Sequence, residues 1–261
     1  MRISRFTVEN EIHYGVVQGE GEDQVVVPIA GDPFYNGIQP IEGASWKVQD
    51  VRLLAPVIPR SKIVCVGRNY ADHAAEMGNE LPTSPMLFFK PNTSVVGPGD
   101  PVTLPSWTER VSYEAELAVV IGRICKDVPA EKADEVIFGY TAANYLTARD
   151  AQETDGQWAR AKGFDGSCPL GPWIETELDP SDLRIASRVD GQTKQDSSTA
   201  QMVFSVAEII AYASAAFTLL PGDIILTGTP AGVGPVDHGQ RVEVEIEGIG
   251  TLANPFLRRE A

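Results

Sequence analysis

The chain has 261 residues, 43% of them hydrophobic and 22% charged, enough to bury a large core as one domain or as a small domain joined to a bigger one. With 36 acidic against 21 basic side chains, its net charge of −15 disfavours nucleic acid and anionic membranes as partners, yet allows an anionic small substrate held by a local cluster of cations. No apolar run reaches the about 18 residues of a membrane span and no secretory segment follows Met1, so a cytoplasmic protein is expected.

Residues 1 to about 52 read as short strands and turns, with Val25-Val26-Val27 before Pro28 and turn signals at Gly31-Asp32-Pro33 and Asn36-Gly37. Leu53 to Lys62, carrying Pro56 and Pro59, reads as an extended connector, so a small N-terminal region (1–57) precedes a larger part (58–261). That part opens with the strand Ile63 to Val66, followed by a short helix from Tyr70 to Met77 that stops at Gly78. Strand signals recur at Met86 to Phe89, Leu117 to Ile121 and Ile224 to Thr227. The best-marked helix starts at Ser205, where Ser205 and Glu208 form a capping box ahead of Val206, Ile209, Ile210, Ala213 and Phe217 at helical spacing. Strands outnumber helices in an irregular order, which is the pattern of an α+β fold with a strand-rich core. Cys65, Cys125 and Cys168 are widely spaced in apolar surroundings and read as reduced structural thiols.

The run Tyr113 to Gly122 carries the least expected residues. Alternation puts Tyr113, Ala115, Leu117 and Val119 on one face and Glu114, Glu116, Ala118 and Val120 on the other, so both faces become apolar further along. Such a strand is covered on both sides, and two carboxylates about 7 Å apart at the edge of a core must be protonated, paired with cations or bound to a metal. A hard divalent cation is their natural partner. The alternative, a solvated face, is what the same chain shows at Arg241 to Glu247, where Val242, Val244 and Ile246 alternate with a purely polar face.

Of three histidines, His73 alone has a carboxylate on its helix face, Glu76, three residues on. The pair suits a general-base dyad in which the acid orients the imidazole, and equally a surface ion pair on a polar helix. The loop Leu226 to Gly234 follows a buried strand and is rich in glycine and hydroxyls, which suits a nest of backbone N–H groups for a carboxylate; it has neither a nucleotide fingerprint nor a P-loop. Taken alone, Lys162 and Arg68 read as solvated cations.

Together these segments resemble the fumarylacetoacetate hydrolase family, in its acylpyruvate hydrolase, oxaloacetate decarboxylase and 2-hydroxyhepta-2,4-diene-1,7-dioate isomerase branch. The resemblance runs from about Leu53 to Pro255 and is carried by Gly67-Arg68-Asn69-Tyr70-Ala71-Asp72-His73, Phe89-Lys90-Pro91, Glu114-Ala115-Glu116-Leu117, Lys162-Gly163-Phe164-Asp165, Pro169-Leu170-Gly171-Pro172-Trp173 and Pro221 to Pro230. It implies a mixed β-roll catalytic domain after a small N-terminal region, and a homodimer. It also implies that Glu114 and Glu116 are two of three carboxylate ligands to Mg2+ or Mn2+. By the same resemblance His73 and Glu76 activate water, Lys162 stabilises an oxyanion, Thr229 and the amides near Gly228 hold the substrate carboxylate, and Arg68 and Lys90 contribute to binding. One position departs from the family pattern. Tyr145, in Gly139-Tyr140-Thr141-Ala142-Ala143-Asn144-Tyr145, stands where the family has an Asp as third metal ligand. A phenol is a poor ligand for magnesium unless the ion drives off its proton, so the metal is expected to rest on Glu114, Glu116 and extra waters, with Tyr145 touching the substrate.

The activity implied is metal-dependent cleavage of a C–C bond, by hydrolysis or decarboxylation, in a small 2-oxo acid such as an acylpyruvate or oxaloacetate. The alternatives are dienedioate isomerisation and a non-catalytic oxo-acid-binding homologue in which Tyr145 fills the metal cavity.

Overall fold

The structure, a computed structural model, describes residues 1–76, 78 and 80–258. Two sheets form its frame. In the larger, the pairing order from one edge is Trp46–Lys47, Val25–Pro28, Glu11–Gln18, Arg2–Val8, Cys168–Glu175, Ile137–Ala148, Val111–Ile121, Ile224–Leu226, Ile63–Gly67 and Met86–Lys90. The smaller runs Gln192–Ser198, Arg184–Val189, Arg241–Ile246, Gly250–Arg258 and Val102–Leu104. Helices are few and short, the longest among the described residues being Val206–Ala216, so the expected α+β class with a strand-rich core holds. The N-terminal strands do not stand apart: Arg2–Val8 pairs with Cys168–Glu175 and extends the main sheet.

At the centre, Val111–Ile121 runs antiparallel to Ile137–Ala148, and all 11 of its residues are buried. Ala115, Leu117, Val119 and Ile121 pack into a core with Ile185, Val244 and Ile246 of the second sheet and with Ile209 and Ile210 of the Val206–Ala216 helix. The opposite face continues from the two glutamates into Ala118 and Val120, which pack with Ile3, Cys65, Ile174 and Leu226. Each fully buried Ile or Leu in these clusters contributes roughly 1.5–3 kcal/mol, so the strand is held from both sides and cannot slip by a residue without turning its apolar set outward. Glu114 and Glu116 lie where this two-sided core ends, at 6% and 3% exposure.

The expected strands and helices are present with small shifts in their ends. The helix after the Ile63–Gly67 strand spans Ala71–Glu76, and Met77 of the expected span lies outside the described residues. The capping box at Ser205 and Glu208 is formed in both directions. Arg241–Ile246 alternates buried and accessible residues as expected, and all three cysteines are free and buried. Ile137–Ala148 is a strand absent from the sequence-based expectation: Gly139, Ala142, Ala143 and Asn144 interrupt its strand-forming Ile, Phe, Tyr and Thr residues, and pairing on both edges fixes it as a strand. No helix among the described residues is long and apolar enough to cross a membrane.

The Ile224–Leu226 strand, which leads into the glycine-rich loop, is anchored by one buried carboxylate. Asp223, fully buried, accepts hydrogen bonds from Ser61 Oγ at 2.6 Å, Lys62 Nζ at 2.6 Å and the amides of Lys62 and Leu220. It thereby ties the extended connector to the turn that launches Ile224–Leu226. Removing it strands a lysine and two amides, and Asp223→Ala is expected to lower unfolding stability by about 3 kcal/mol, read as a reduced urea midpoint with an unchanged slope.

Candidate active site

Antiparallel register brings Tyr145 directly opposite Glu114, and Thr147 opposite Ser112, so Glu114, Tyr145 and Thr147 share one face. That face forms one wall of a cavity of about 100 Å³. Glu114, Glu116, Tyr145 and Lys162 line it, and so do Arg68, His73, Gly228 and Thr229 from the surrounding loops. Eight of the ten residues singled out from the sequence therefore meet at one place; Glu76 and Lys90 contact it only through others.

Glu114 is a paired carboxylate. Its Oε1 accepts from Arg149 Nη2 at 2.6 Å and from Thr147 Oγ1 at 2.9 Å, while Lys162 Nζ donates to Thr147 Oγ1 at 3.1 Å. Burial alone would raise its pKa, but the charges of Arg149, Lys162 and His73 together with the Thr147 hydrogen bond outweigh it and hold the acid below the ordinary glutamate range. Glu116 is its opposite. Its one hydrogen-bond donor among the described residues is the amide of Gly228, at 2.8 Å to Oε2, and burial followed by the charge of Glu114 pushes its pKa up to about 8. Two neighbouring acids are thus driven apart, one ionised and the other protonated at neutral pH while no cation lies between them. The Lys162 ammonium is depressed by burial and sits 4.8 Å from the Tyr145 ring centre and 5.3 Å from those of Phe88 and Trp158.

The backbone around the cavity is shaped to suit. Gly228 has φ +95°, and a Cβ there would meet Cβ of Asn69 at 2.8 Å, so only glycine brings this amide to Glu116. That amide, expected to face a ligand, serves a protein carboxylate instead, while Thr229 beside it lines the cavity. Arg68 adopts φ +58°, a left-handed conformation that costs a non-glycine residue about 1 kcal/mol, at the turn from the Ile63–Gly67 strand into the Ala71–Glu76 helix. On that helix His73 is 9% exposed, and its Nδ1 lies 3.2 Å from Glu76 Oε2. Glu76 in turn accepts from the amide of Gly232 at 3.1 Å, so the His73–Glu76 pair is docked on the glycine-rich loop after Leu226.

Lys90 does not reach the cavity. Its buried ammonium donates to the carbonyls of Leu146, Lys162 and Ser167 and to Ser167 Oγ, and lies 3.9 Å from the Tyr145 ring centre, on which it acts as a floor. Burial lowers its pKa to about 8, which still leaves it charged at neutrality. Sequence reading passes over Arg149, Thr147, Gln152 and Trp158. Arg149 and Gln152 both line the cavity, and Arg149 Nη1 donates to Gln152 Oε1 at 3.0 Å. Thr147 stands two residues from Tyr145, the strand repeat, and that spacing was the available signal.

The residues suit a hard divalent cation only in part. Among the described residues, Glu114 Oε2 and Glu116 Oε1 have no hydrogen-bond partner, and the hydroxyl of Tyr145 is buried with none. Burial raises the Tyr145 pKa well above that of free tyrosine, so this third oxygen is a neutral phenol. Asp150 offers no replacement, because its carboxylate accepts from Thr108 Oγ1 and from the amides of Glu109 and Ala151. Among the described residues no three His, Cys, Asp or Glu side chains converge on a metal position. Two carboxylate oxygens fit an ion that keeps most of its water, as magnesium readily does.

Residues 62–257 match the family model for the fumarylacetoacetate hydrolase C-terminal domain, and residues 1–56 match the Rv2993c-like N-terminal model. The crystal structure of 5-carboxymethyl-2-hydroxymuconate delta-isomerase from Mycobacterium smegmatis is 49% identical and superposes with a TM-score of 0.91, covering 99% of this chain and 100% of that one. Mitochondrial oxaloacetate tautomerase of Xenopus laevis is 44% identical over 80% of this chain and 69% of its own length. Maleylpyruvate hydrolase from Sphingobium sp. SYK-6, in complex with manganese(II) and pyruvate, is 32% identical with a TM-score of 0.81, and both chains are covered in full. On the match over residues 62–257 and the identity of these relatives, the chain belongs to the fumarylacetoacetate hydrolase family.

Proposed function

We propose that the protein is an enzyme of small 2-oxo acids that works through an enolate, breaking the C–C bond of an acylpyruvate by hydrolysis or of oxaloacetate by loss of carbon dioxide. The observation that carries this reading is the meeting, in one cavity, of the His73 imidazole held by Glu76 with the Glu114–Glu116 pair, Lys162 and Thr229. A bound Mg2+ or Mn2+, held by Glu114 and Glu116, would supply positive charge against the developing enolate.

The protein's own residues account for the rest of the chemistry. Thr229 binds the substrate carboxylate, and Arg68 adds a cation to the same cavity. Lys162, kept close by Thr147, donates to the oxygen on which charge develops. His73, oriented by Glu76, takes a proton from water as the water attacks the carbonyl distant from the carboxylate; the electrons of the broken C–C bond pass to the enolate, which is reprotonated to give pyruvate beside the free acid. The chain beyond that carbonyl runs past Met86, Phe88 and Trp158, which the cavity shares with a wider groove of about 510 Å³. Decarboxylation needs the same enolate but no attacking water.

A second reading is tautomerisation of oxaloacetate, favoured by the 44% identity to a relative of that name. It requires only that a proton leave C3 and another reach the 2-oxygen, or the reverse, and so makes the least demand on a site with a phenol at position 145.

Release of pyruvate from acetylpyruvate and from oxaloacetate, and enol-to-keto conversion of oxaloacetate followed by ultraviolet absorbance, separate the readings when assayed with and without Mg2+ or Mn2+. Metal-dependent pyruvate release supports cleavage. Tautomerisation without release supports the second reading, and inactivity on all three leaves the non-catalytic one. Tyr145→Asp restores a third carboxylate and is expected to tighten metal binding tenfold or more and to raise turnover; unchanged affinity would contradict the two-carboxylate site. His73→Asn should lower acylpyruvate hydrolysis by about 10²–10⁴-fold while sparing decarboxylation to a greater degree. The acidity of Glu116 gives a test without turnover. An acid whose folded pKa is raised from 4.5 to about 8 is penalised as pH climbs through that window, so the metal-free protein should lose stability from pH 5 to 8. Glu116→Gln is expected to abolish that slope and to make the metal-free protein roughly 2–4 kcal/mol more stable at pH 8, measured by urea unfolding.

A further inference from the structure

Gln195 is the one buried residue of the Gln192–Ser198 strand, which is otherwise exposed or half-buried, and it is polar. At 1% exposure its amide makes four hydrogen bonds. Oε1 accepts from the amide of Ala115 at 2.9 Å and from Ser187 Oγ at 2.9 Å, while Nε2 donates to Thr229 Oγ1 and to the carbonyl of Pro230, each at 2.8 Å. The orientation of the amide is forced by its partners, because the Ala115 N–H can only donate and the Pro230 carbonyl can only accept.

That orientation has a chemical consequence at Thr229. A hydroxyl has one proton, and its oxygen here already accepts from Gln195, so the proton must serve a different acceptor. Among the described residues no protein acceptor takes it, and Thr229 lines the cavity. Ala115 is the residue between Glu114 and Glu116, so the same side chain ties the loop to the strand bearing both carboxylates. The loop also lies close against the Gln192–Ser198 strand: a Cβ on Gly232 would come within 2.1 Å of the carbonyl oxygen of Lys194.

We propose that Gln195 is a positioning residue that makes the Thr229 hydroxyl an obligate hydrogen-bond donor to the bound carboxylate, in register with the Glu114–Glu116 pair. This rests on the reading of Thr229 as the carboxylate donor. In Gln195→Glu the Ala115 amide keeps its acceptor, but Thr229 now finds an acceptor rather than a donor beside it and turns its proton away from the cavity.

The test is a double-mutant cycle on pyruvate binding at constant Mg2+, followed by tryptophan fluorescence, with thermal unfolding to establish that each variant is folded. Thr229→Val and Gln195→Glu are each expected to weaken pyruvate about tenfold, the scale of one hydrogen bond to a charged group, and together to weaken it no further. Thr229→Ser should retain most of the affinity. Gln195→Met, which keeps the length and loses both hydrogen-bonding ends, replaces Gln195→Glu if that variant does not fold. Losses that multiply to about a hundredfold in the double variant, or a Gln195 variant with unchanged affinity, would overturn the positioning role while leaving the carboxylate site intact. No saturable pyruvate binding by the unmodified protein would overturn the 2-oxo-acid reading, and this inference with it.

Discussion

Everything at the candidate site follows from placing two carboxylates on one face of a strand that is covered on both sides. Glu114 and Glu116 lose most of their hydration there, so each must be answered by the protein. Arg149 and Thr147 answer the first, the Gly228 amide answers the second, and the residue between them gives its amide to Gln195. These demands fix the end of the Ile137–Ala148 strand, the conformation of the loop after Leu226 and the position of Lys162. The large two-sheet frame makes the strand rigid enough to hold acids of such different proton affinity a few ångströms apart.

Tyr145 changes the balance of that arrangement. An aspartate at this place would face Glu114 with a further negative charge; the phenol brings none, and burial keeps it neutral. With Arg68, Arg149 and Lys162 lining it, the cavity is richer in positive charge than its pair of acids can neutralise, which favours an anion over a tightly held dication. Proton transfer and enolate stabilisation by Lys162 remain within reach of such a site, which is why tautomerisation and cleavage both stay attached to one geometry.

Much of this was legible before the fold. The two-sided apolar pattern around Glu114 and Glu116 announced buried acids, the Ser205–Glu208 box announced the longest helix among the described residues, and the glycine-rich loop announced a tight turn, which lines the cavity. What escaped did so for physical reasons. Ile137–Ala148 mixes strand-forming Ile, Phe, Tyr, Thr and Leu with Gly139, Ala142, Ala143 and Asn144, which blur its alternation in the sequence, and it is fixed as a strand by pairing on both its edges. Arg149 and Gln195 look like ordinary polar residues in sequence, and their roles depend on contacts 35 and 80 residues away along the chain. Lys90 was expected at the substrate and instead lies beneath Tyr145, because three backbone carbonyls converge on its ammonium.

The central claim is that the Glu114–Glu116 pair and Thr229 together form a 2-oxo-acid site. A crystal structure of the unmodified protein soaked with Mn2+ and pyruvate, with diffraction recorded at the manganese edge, tests it most directly. The account predicts an anomalous peak between the two glutamates, waters completing the shell, and the pyruvate carboxylate against Thr229. Manganese absent from that position at millimolar concentration, with pyruvate bound elsewhere or not at all, would contradict it.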